Sequence, residues 1–366
     1  MRRTRGRHRI AVGIGVAAIA LGVVAPASAE PVVETVEDGF ITPLGLAVGE
    51  NDTIYVAEAF AGQLSSIDRQ GNRSTIVEGA GLALPGVDAR GNDVAFTLTE
   101  FPESEAVAPD TTLQRLLPSG RRTQTASLGA FEQAANPDAV NEYGFRDLPD
   151  DCAAEFEGVE FPPSERYPGE VFSNPYSVAI DGADRVVADA GANSIVRVRA
   201  NGRVSALAVL PPIEQTITPD AAAFMGLPDC AVGLVYDGEP VPTDVEVGPD
   251  GHYYVSALPG FPEEEGAGAV FRVHRSTGDV SLVADGLTYA TDLAVANDGT
   301  IYVTELVVDF EDDSQGRISR IRGGEVSTVV ELGNPTAIEI VRQGRRETIY
   351  ATVDAFENGR VVTVTP

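Results

Sequence analysis

The stretch VPTDVEVGPDGHYYVSA, residues 241–257, contains an apolar strand, a Gly/Asp turn and a second strand, and close copies of it recur along the chain. The best copies are TPLGLAVGENDTIYVAEA (42–59), NPYSVAIDGADRVVADA (174–190) and YATDLAVANDGTIYVTEL (289–306). Third and fourth strands follow as SIVRVRANGRVSALAVL (194–210), AVFRVHRSTGDVSLVADG (269–286) and GRISRIRGGEVSTVV (316–330). Each unit therefore predicts four short strands joined by tight turns.

Two weaker copies, beginning at Pro85 and Asn334, bring the number of units to six. The second strands align at Tyr55, Ala95, Val186, Tyr254, Tyr302 and Tyr350, with spacings of 40, 91, 68, 48 and 48. The period is about 45 residues, and two insertions, at about 128–173 and 211–240, lengthen it. This pattern predicts an all-β fold, a six-bladed β-propeller with four-stranded antiparallel blades, as one domain over residues 30–366.

The last unit reaches only its third strand, residues 359–364, before the sequence ends. A spare apolar strand, residues 31–36, lies near the other end of the chain. We expect it to complete the sixth blade, because that pairing removes two exposed strand edges.

The first 29 residues have the pattern of a cleaved signal peptide. Five arginines precede an uncharged stretch at 10–24, and Ala27-Ser28-Ala29 fits the cleavage site. About 15 apolar residues are too few for a membrane anchor, which needs roughly 20. We expect a secreted, extracytoplasmic protein cleaved after Ala29, with general or twin-arginine export left open.

The composition is strongly acidic. All 26 basic residues are arginine, 55 residues are Asp or Glu, and the formal net charge is -29. Such a chain repels nucleic acid and anionic membrane surfaces, so the expected partner is an unknown small molecule or an extracytoplasmic protein. A monomer is expected.

Cys152 and Cys230 are the two cysteines, and one lies in each insertion. Both insertions join a fourth strand to the next first strand, so they emerge on the same face, conventionally the top. An oxidising compartment favours a disulfide between them, and two separate buried thiols are the alternative.

The segments at 174–212, 241–273 and 291–306 together resemble the ScyD/ScyE family, exported propellers of the NHL-repeat group. The most specific parts are VVADAGANSIVRVRANGRVSALAVLPP and VPTDVEVGPDGHYYVSALPGFP. Two features depart from the family: Ala257 stands where similar proteins often have glutamate, and the cysteines are not expected. The resemblance implies an extracytoplasmic six-bladed propeller of poorly defined biochemical role, and it supplies no catalytic residues.

Asp244 and Asp292 occupy the same position of the first strand in adjacent units. Asn174 and Asn334 begin other first strands. At the mouth of a propeller channel these oxygens are candidate ligands for a hard cation such as Ca²⁺, although no cofactor is certain. The alternative is that the aspartates accept hydrogen bonds from backbone amides of neighbouring blades.

Acidic side chains also recur in the loops between second and third strands. These loops are predicted on the top face and contain Glu263, Glu264, Glu265, Asp309, Glu311, Asp312 and Asp313. They predict a negative surface that attracts cations or basic partners, or a surface that only keeps the protein soluble. Glu58, Asp189 and Glu305 end the second strand in three units, which favours a shared structural role in holding a turn or an arginine.

These patterns favour a secreted binding module that recognises a ligand or partner on its acidic top face, with no catalytic residues assigned. The alternative is a Ca²⁺-dependent hydrolase or lactonase using Asp244 and Asp292. No GxSxG, HExxH, P-loop or CxxC sequence occurs, so serine hydrolases, zinc peptidases and thioredoxins have no support.

Overall fold

A computed structural model of the chain describes residues 31–102, 109–159, 161–310, 312–343 and 346–365. The predicted signal peptide and Glu311 lie outside the described residues. The fold is all-β and is built from antiparallel sheets.

Three sheets come from the first half of the chain and follow β1 (Val32–Phe40). Sheet I contains β2 (Pro43–Val48), β3 (Ile54–Glu58), β4 (Gln63–Ile67) and β5 (Arg73–Glu78). Sheet II contains β6 (Leu82–Ala83), β7 (Val87–Arg90), β8 (Asp93–Glu100), β9 (Asp110–Leu116) and β10 (Arg122–Ser127). The first insertion then supplies α1 (Leu128–Ala135), β11 (Glu142–Phe145), α2 (Asp150–Ala153) and β12 (Tyr167–Pro168). Sheet III contains β13 (Pro175–Asp181), β14 (Asp184–Asp189), β15 (Ser194–Val198) and β16 (Val204–Val209).

The second half of the chain begins with the second insertion, which supplies β17 (Ile213–Thr216), α3 (Pro219–Met225) and β18 (Val235–Gly238). Sheet IV contains β19 (Pro240–Val247), β20 (Tyr253–Pro259), β21 (Gly268–Val273) and β22 (Val280–Leu287). Sheet V contains β23 (Ala290–Val295), β24 (Ile301–Glu305), β25 (Gln315–Arg322) and β26 (Glu325–Gly333). Sheet VI contains β27 (Ala337–Gln343), β28 (Arg346–Val353) and β29 (Gly359–Thr365), to which β1 is added.

The turn between the first two strands of sheet V shows why the repeat folds this way. Gly299 has a φ of 83°, a left-handed conformation that a glycine adopts at little cost. The Asp298 carboxylate accepts a hydrogen bond from the Thr300 backbone N–H at 3.0 Å, which fixes the turn. The flanking strands then pair in register, with Leu293 opposite Val303.

Consecutive sheets share their hydrophobic cores. One buried cluster lies between each pair of neighbours: I and II, II and III, III and IV, IV and V, V and VI, and VI and I. The first strands of the six sheets contact one another in the same order, β2, β7, β13, β19, β23 and β27, and β27 contacts β2. The first strands therefore lie innermost.

The number of sheets corrects the expectation of six, because the described residues form seven. The additional sheet, VII, has the order β12-β11-β18-β17 and comes entirely from the two insertions. Its strands have only two to four residues and lack the repeat pattern, so the periodicity could not reveal them. Gly144 pairs with Asp237 across 93 residues of sequence.

The predicted disulfide between Cys152 and Cys230 is confirmed, with the two Cα atoms 5.7 Å apart. It lies beside a small core of the insertions, in which the rings of Phe145 and Tyr236 meet edge to face at 5.0 Å. The insertions thus carry their own core and covalent link.

Sheet VI receives its fourth strand from the beginning of the described chain. Strand β1 pairs antiparallel with β29, and Val32 lies opposite Thr365. None of the helices in the described ranges is long and apolar enough to cross a membrane.

Candidate functional site: the channel mouth and the top face

The inner strands line a narrow central channel, and the side chains that reach it come from two positions of the repeat. At the first position, sheets III, IV and V contribute Ser177, Asp244 and Asp292. Gly45 and Gly86 hold this position in sheets I and II, where a Cβ would lie 2.5 and 2.6 Å from backbone oxygens in or just before the next inner strand, so glycine allows these strands to pack closely. Asp244 and Asp292 are the two residues that the sequence predicted at this position.

The second position lies two residues further along each strand, on the same side of the backbone. It holds carboxylates in sheets II, IV and VI, namely Asp88, Glu246 and Glu339. Sheets I, III and V have alanine there, at Ala47, Ala179 and Ala294. Acidic and small residues therefore alternate around the channel. These carboxylates were not among the residues predicted from the sequence, because the prediction rested on the first position of the repeat alone.

Hydrogen bonds from neighbouring sheets hold some of these carboxylates. The Ser177 hydroxyl donates to Asp244 Oδ1, and the Leu293 N–H donates to Asp244 Oδ2 at 3.3 Å. The Ile180 N–H donates to Asp88 Oδ2 at 2.6 Å. The innermost strand of each sheet has one edge that is not paired with another strand. The carboxylates accept hydrogen bonds from backbone N–H groups on that edge, which would otherwise lack an acceptor.

Burial and mutual repulsion make the channel carboxylates weak acids. Burial raises the pKa of Asp244 to about 6. Burial, with repulsion from Asp244 and Glu246, raises the pKa of Asp292 well above its usual value. Burial and neighbouring carboxylates do the same for Glu246 and Glu339. The hydrogen bond between Asp244 and Asp292 lowers the pKa of Asp244 and raises that of Asp292.

The two predicted asparagines lie away from this channel lining. The Asn174 N–H donates to Asp189 Oδ1 at 2.6 Å. Asn334 donates from Nδ2 to the carbonyl of Asp313 at 2.6 Å, which ties it to the loop of sheet V. The structure thus brings Asp244 and Asp292 together and gives both asparagines positions in connecting segments.

The acidic loops are exposed but also bonded within the protein. Glu264 accepts hydrogen bonds from the Thr218 N–H at 2.8 Å and from its hydroxyl at 3.1 Å. Glu265 accepts from the Phe310 N–H at 2.8 Å, and Glu263 accepts from the Tyr289 hydroxyl. Asp312 accepts from the Ser314 N–H at 3.2 Å, while Asp309 and Asp313 are exposed.

Exposed phenylalanines share this face with the acidic loops, and the sequence analysis did not identify them. Loops between second and third strands present Phe60, Phe101, Phe310 and Phe356, with exposed fractions of 73%, 53%, 46% and 60%. Each residue directly follows a second strand or lies within a few residues of its end. The aligned repeats contained this signal, since five of the six loops have a phenylalanine, of which Phe261 in sheet IV is buried.

Among the described residues, no group of three or more His, Cys, Asp or Glu side chains is arranged so that it could hold a metal ion. The channel pair Asp244 and Asp292 is instead closed by its own hydrogen bond.

No protein-family model matches the chain, and no curated protein matches it. Solved structures do match. A Bacteroides thetaiotaomicron protein of unknown function is 13% identical with a TM-score of 0.56, covering 92% of this chain and 77% of its own. A Xanthomonas campestris gluconolactonase is 10% identical with a TM-score of 0.55, covering 91% and 88%. A putative glucose dehydrogenase from Thermus thermophilus is 15% identical with a TM-score of 0.52, covering 92% and 100%. At these identities the likeness concerns the fold alone, and the chain has a β-propeller fold.

Proposed function

We propose that the protein is a binding module that recognises a cationic, partly apolar ligand or partner on its acidic top face. The observation that carries this proposal is the set of four exposed phenylalanines, Phe60, Phe101, Phe310 and Phe356, in loops that share one face. Burying one such ring is worth about 2 to 3 kcal/mol, so four rings left in water favour a surface that becomes covered.

The chemistry of the partner follows from the residues beside the rings. Glu263 and Glu265 in the loop of sheet IV, and Asp312 and Asp313 in the loop of sheet V, are exposed, and the Phe310 N–H donates to Glu265 at 2.8 Å. Aromatic faces and carboxylates together suit a guanidinium, ammonium or quaternary amine that also carries apolar groups. A basic, aromatic peptide or an organic cation has this chemistry.

The framework of the proposal is a six-bladed ring formed by sheets I to VI, with β1 closing sheet VI and sheet VII as an addition on the top face. The cyclic order of the shared cores supports this reading. We also infer export and membership of the ScyD/ScyE family, as the sequence pattern at 1–29 and the quoted repeats indicate. The disulfide is consistent with an extracytoplasmic location.

A pair of variants tests the binding face. Replacing Phe60 and Phe310 by serine should weaken binding of a fluorescent Arg/Trp peptide at least tenfold, measured by anisotropy. The control is Leu282→Ser, because Leu282 is 56% exposed on the last strand of sheet IV. Binding that is equal in both variants, or equal for a Glu/Trp peptide, would contradict the proposal.

A Ca²⁺-dependent hydrolase or lactonase remains the second candidate, because two carboxylates, Asp244 and Asp292, line the channel side by side. Calorimetric titration of Ca²⁺ into the chelator-treated protein tests it. The Asp244→Asn/Asp292→Asn variant should lose one bound ion, and the Asp312→Asn/Asp313→Asn control should lose none. Equal stoichiometry in both variants would remove this candidate; a difference would justify a screen of lactones and esters.

A further inference from the structure

A second group of acidic and amide side chains lies outside the channel, where the end of α1 packs against sheet III. Glu132 is 2% exposed, Asp138 is fully buried and Asn193 is 1% exposed. Glu132, Asn136 and Asp138 come from the first insertion, and Asn193 precedes the third strand of sheet III. The group therefore joins the insertion to the ring of repeats.

Oxygen atoms of this group lack hydrogen-bond partners within the described chain. They are both carboxylate oxygens of Glu132 and the Oδ1 atoms of Asn136, Asp138 and Asn193. Leaving one buried acceptor without a donor costs about 1 to 3 kcal/mol. Five such atoms at one junction indicate that a positively charged or hydrogen-donating species belongs among them.

Direct contacts hold most of these residues together. Asn193 Nδ2 donates to Asp138 Oδ2 at 2.8 Å, and Asn136 Nδ2 donates to the Gly169 carbonyl at 3.0 Å. Gly169 lies against the Asp138 carboxyl group, because a Cβ added there would stand 2.2 Å from Oδ1. Glu132 lies in the last turn of α1, and Asn136 caps that helix, with its N–H donating to the Glu132 carbonyl at 2.8 Å.

No arginine pairs with the carboxyl groups of this site in the described residues. Burial, followed by repulsion from Asp189 and Asp138, raises the pKa of Glu132 to about 7. Burial also raises the pKa of Asp138. Within the described residues, Glu132, Asp138 and Asp189 take part in no ion pair.

We propose that this junction binds a hard divalent cation of the Ca²⁺ type, held by the carboxylates of Glu132 and Asp138 and the amide oxygens of Asn136 and Asn193. Ca²⁺ takes six to eight oxygen ligands in flexible arrangements and uses asparagine oxygens alongside carboxylates. Water completes the remaining positions. The bound ion links the first insertion to sheet III.

A cleft of about 250 Å³ lies beside α1 and is lined by Glu132, Ser127, Phe172 and Ser173 among others. Among the four proposed ligands, Glu132 is the one that borders this cleft.

Terbium luminescence tests the site. The chain has no tryptophan, so bound Tb³⁺ is sensitised by tyrosine, and the Tyr143 hydroxyl lies 3.4 Å from Asp138 Oδ2. The protein used is the Asp244→Asn/Asp292→Asn variant, which separates this site from the channel. Adding Tyr143→Phe should remove most of the signal that Ca²⁺ displaces, and adding Tyr176→Phe, at the channel, should not. Adding Glu132→Gln should weaken Tb³⁺ binding at least tenfold.

Thermal unfolding provides a second test, because Glu132→Gln should abolish the rise in Tm caused by Ca²⁺ without lowering the Tm in chelator. At pH 8, a Ca²⁺ concentration about 100 times the dissociation constant should raise the Tm of the natural protein by roughly 5 °C. Glu132→Gln should unfold at an equal or higher Tm than the natural protein in chelator, and should gain nothing from Ca²⁺. The proposal is overturned if the channel variant binds neither ion, or if Glu132→Gln and Asp138→Asn leave its binding unchanged. In either case water occupies the junction.

Discussion

Sheets III and V place a buried carboxylate at the same position, the end of the second strand, and surround it differently. In sheet V, Glu305 accepts hydrogen bonds from Arg317 at 2.6 and 2.8 Å and from the Ser319 hydroxyl. In sheet III, Ser194 stands at the position of Arg317, and Asp189 accepts from the Ser173 hydroxyl at 2.7 Å. One carboxylate has an arginine and the other has none.

What the two sites share is a backbone contact. Glu305 accepts from the Thr288 N–H at 2.7 Å, and Asp189 accepts from the Asn174 N–H at 2.6 Å. Glu58 of sheet I does the same for the Ile41 N–H at 2.9 Å, and it also binds Arg73. In all three sheets, the carboxylate at the end of the second strand therefore anchors the segment that leads into the first strand. This is the structural role expected from the sequence. The sheets differ in whether an arginine neutralises this carboxylate.

The largest expected effect is the loss of the arginine in sheet V. Arg317→Met should lower the free energy of unfolding by about 3 to 5 kcal/mol, because Glu305 is fully buried and would lose its charged partner. Urea denaturation at pH 7 measures it. The double variant Glu305→Gln/Arg317→Met should recover most of the loss. If Arg317→Met is as stable as the natural protein, the arginine partner of Glu305 does not contribute to stability, and the difference between sheets III and V does not matter energetically.

A smaller effect is expected from Glu132, which packs near sheet III and makes the free energy of unfolding depend on pH. Glu132 has its pKa raised to about 7 from an ordinary value of 4.5, so the folded protein holds a proton that the unfolded chain releases. This stabilisation is complete below about pH 4.5 and is lost as the pH rises through 7. In chelator, unfolding free energy should therefore fall by up to about 3 kcal/mol between pH 5 and pH 8 on account of this group.

The matched comparison is Glu132→Gln against Glu157→Gln, an exposed glutamate of the same insertion. Glu132→Gln should flatten the pH profile of the urea midpoint, and Glu157→Gln should leave it unchanged. Identical profiles for the two variants would show that Glu132 is ionised normally.

The smallest effect is expected at Asp189 itself. Burial raises the pKa of Asp189 to about 6, so the carboxyl group is already partly neutral near that pH. Asp189→Asn keeps an oxygen for the Asn174 N–H and should change the unfolding free energy at pH 6 by no more than about 1 kcal/mol. A loss as large as that of Arg317→Met would show that the negative charge of Asp189 is needed.

The sequence predicted the six repeat sheets and one ring of the channel because both follow the repeat period. The pair Asp244 and Asp292 was found by alignment, and Asp88, Glu246 and Glu339 were available from the same alignment two residues later. Sheet VII could not be predicted, since strands of two to four residues pair across distant insertions without any period. The junction at Glu132 could not be predicted either, because its members come from a helix, the segment that follows it and a turn of sheet III that is distant in sequence.

The pairing of β1 with β29 places residues 32 and 365 side by side at one end of the same seam. Tension applied between these two residues would act on the outermost pair, Val32 and Thr365, before it reached Phe40 and Gly359. The hydrogen-bonded pairs between β1 and β29 would therefore break one after another, because the force would not be shared among all of them. Force applied at residues 32 and 365 would separate β1 from sheet VI at low load, although the inner strands of that sheet share apolar cores with sheets V and I.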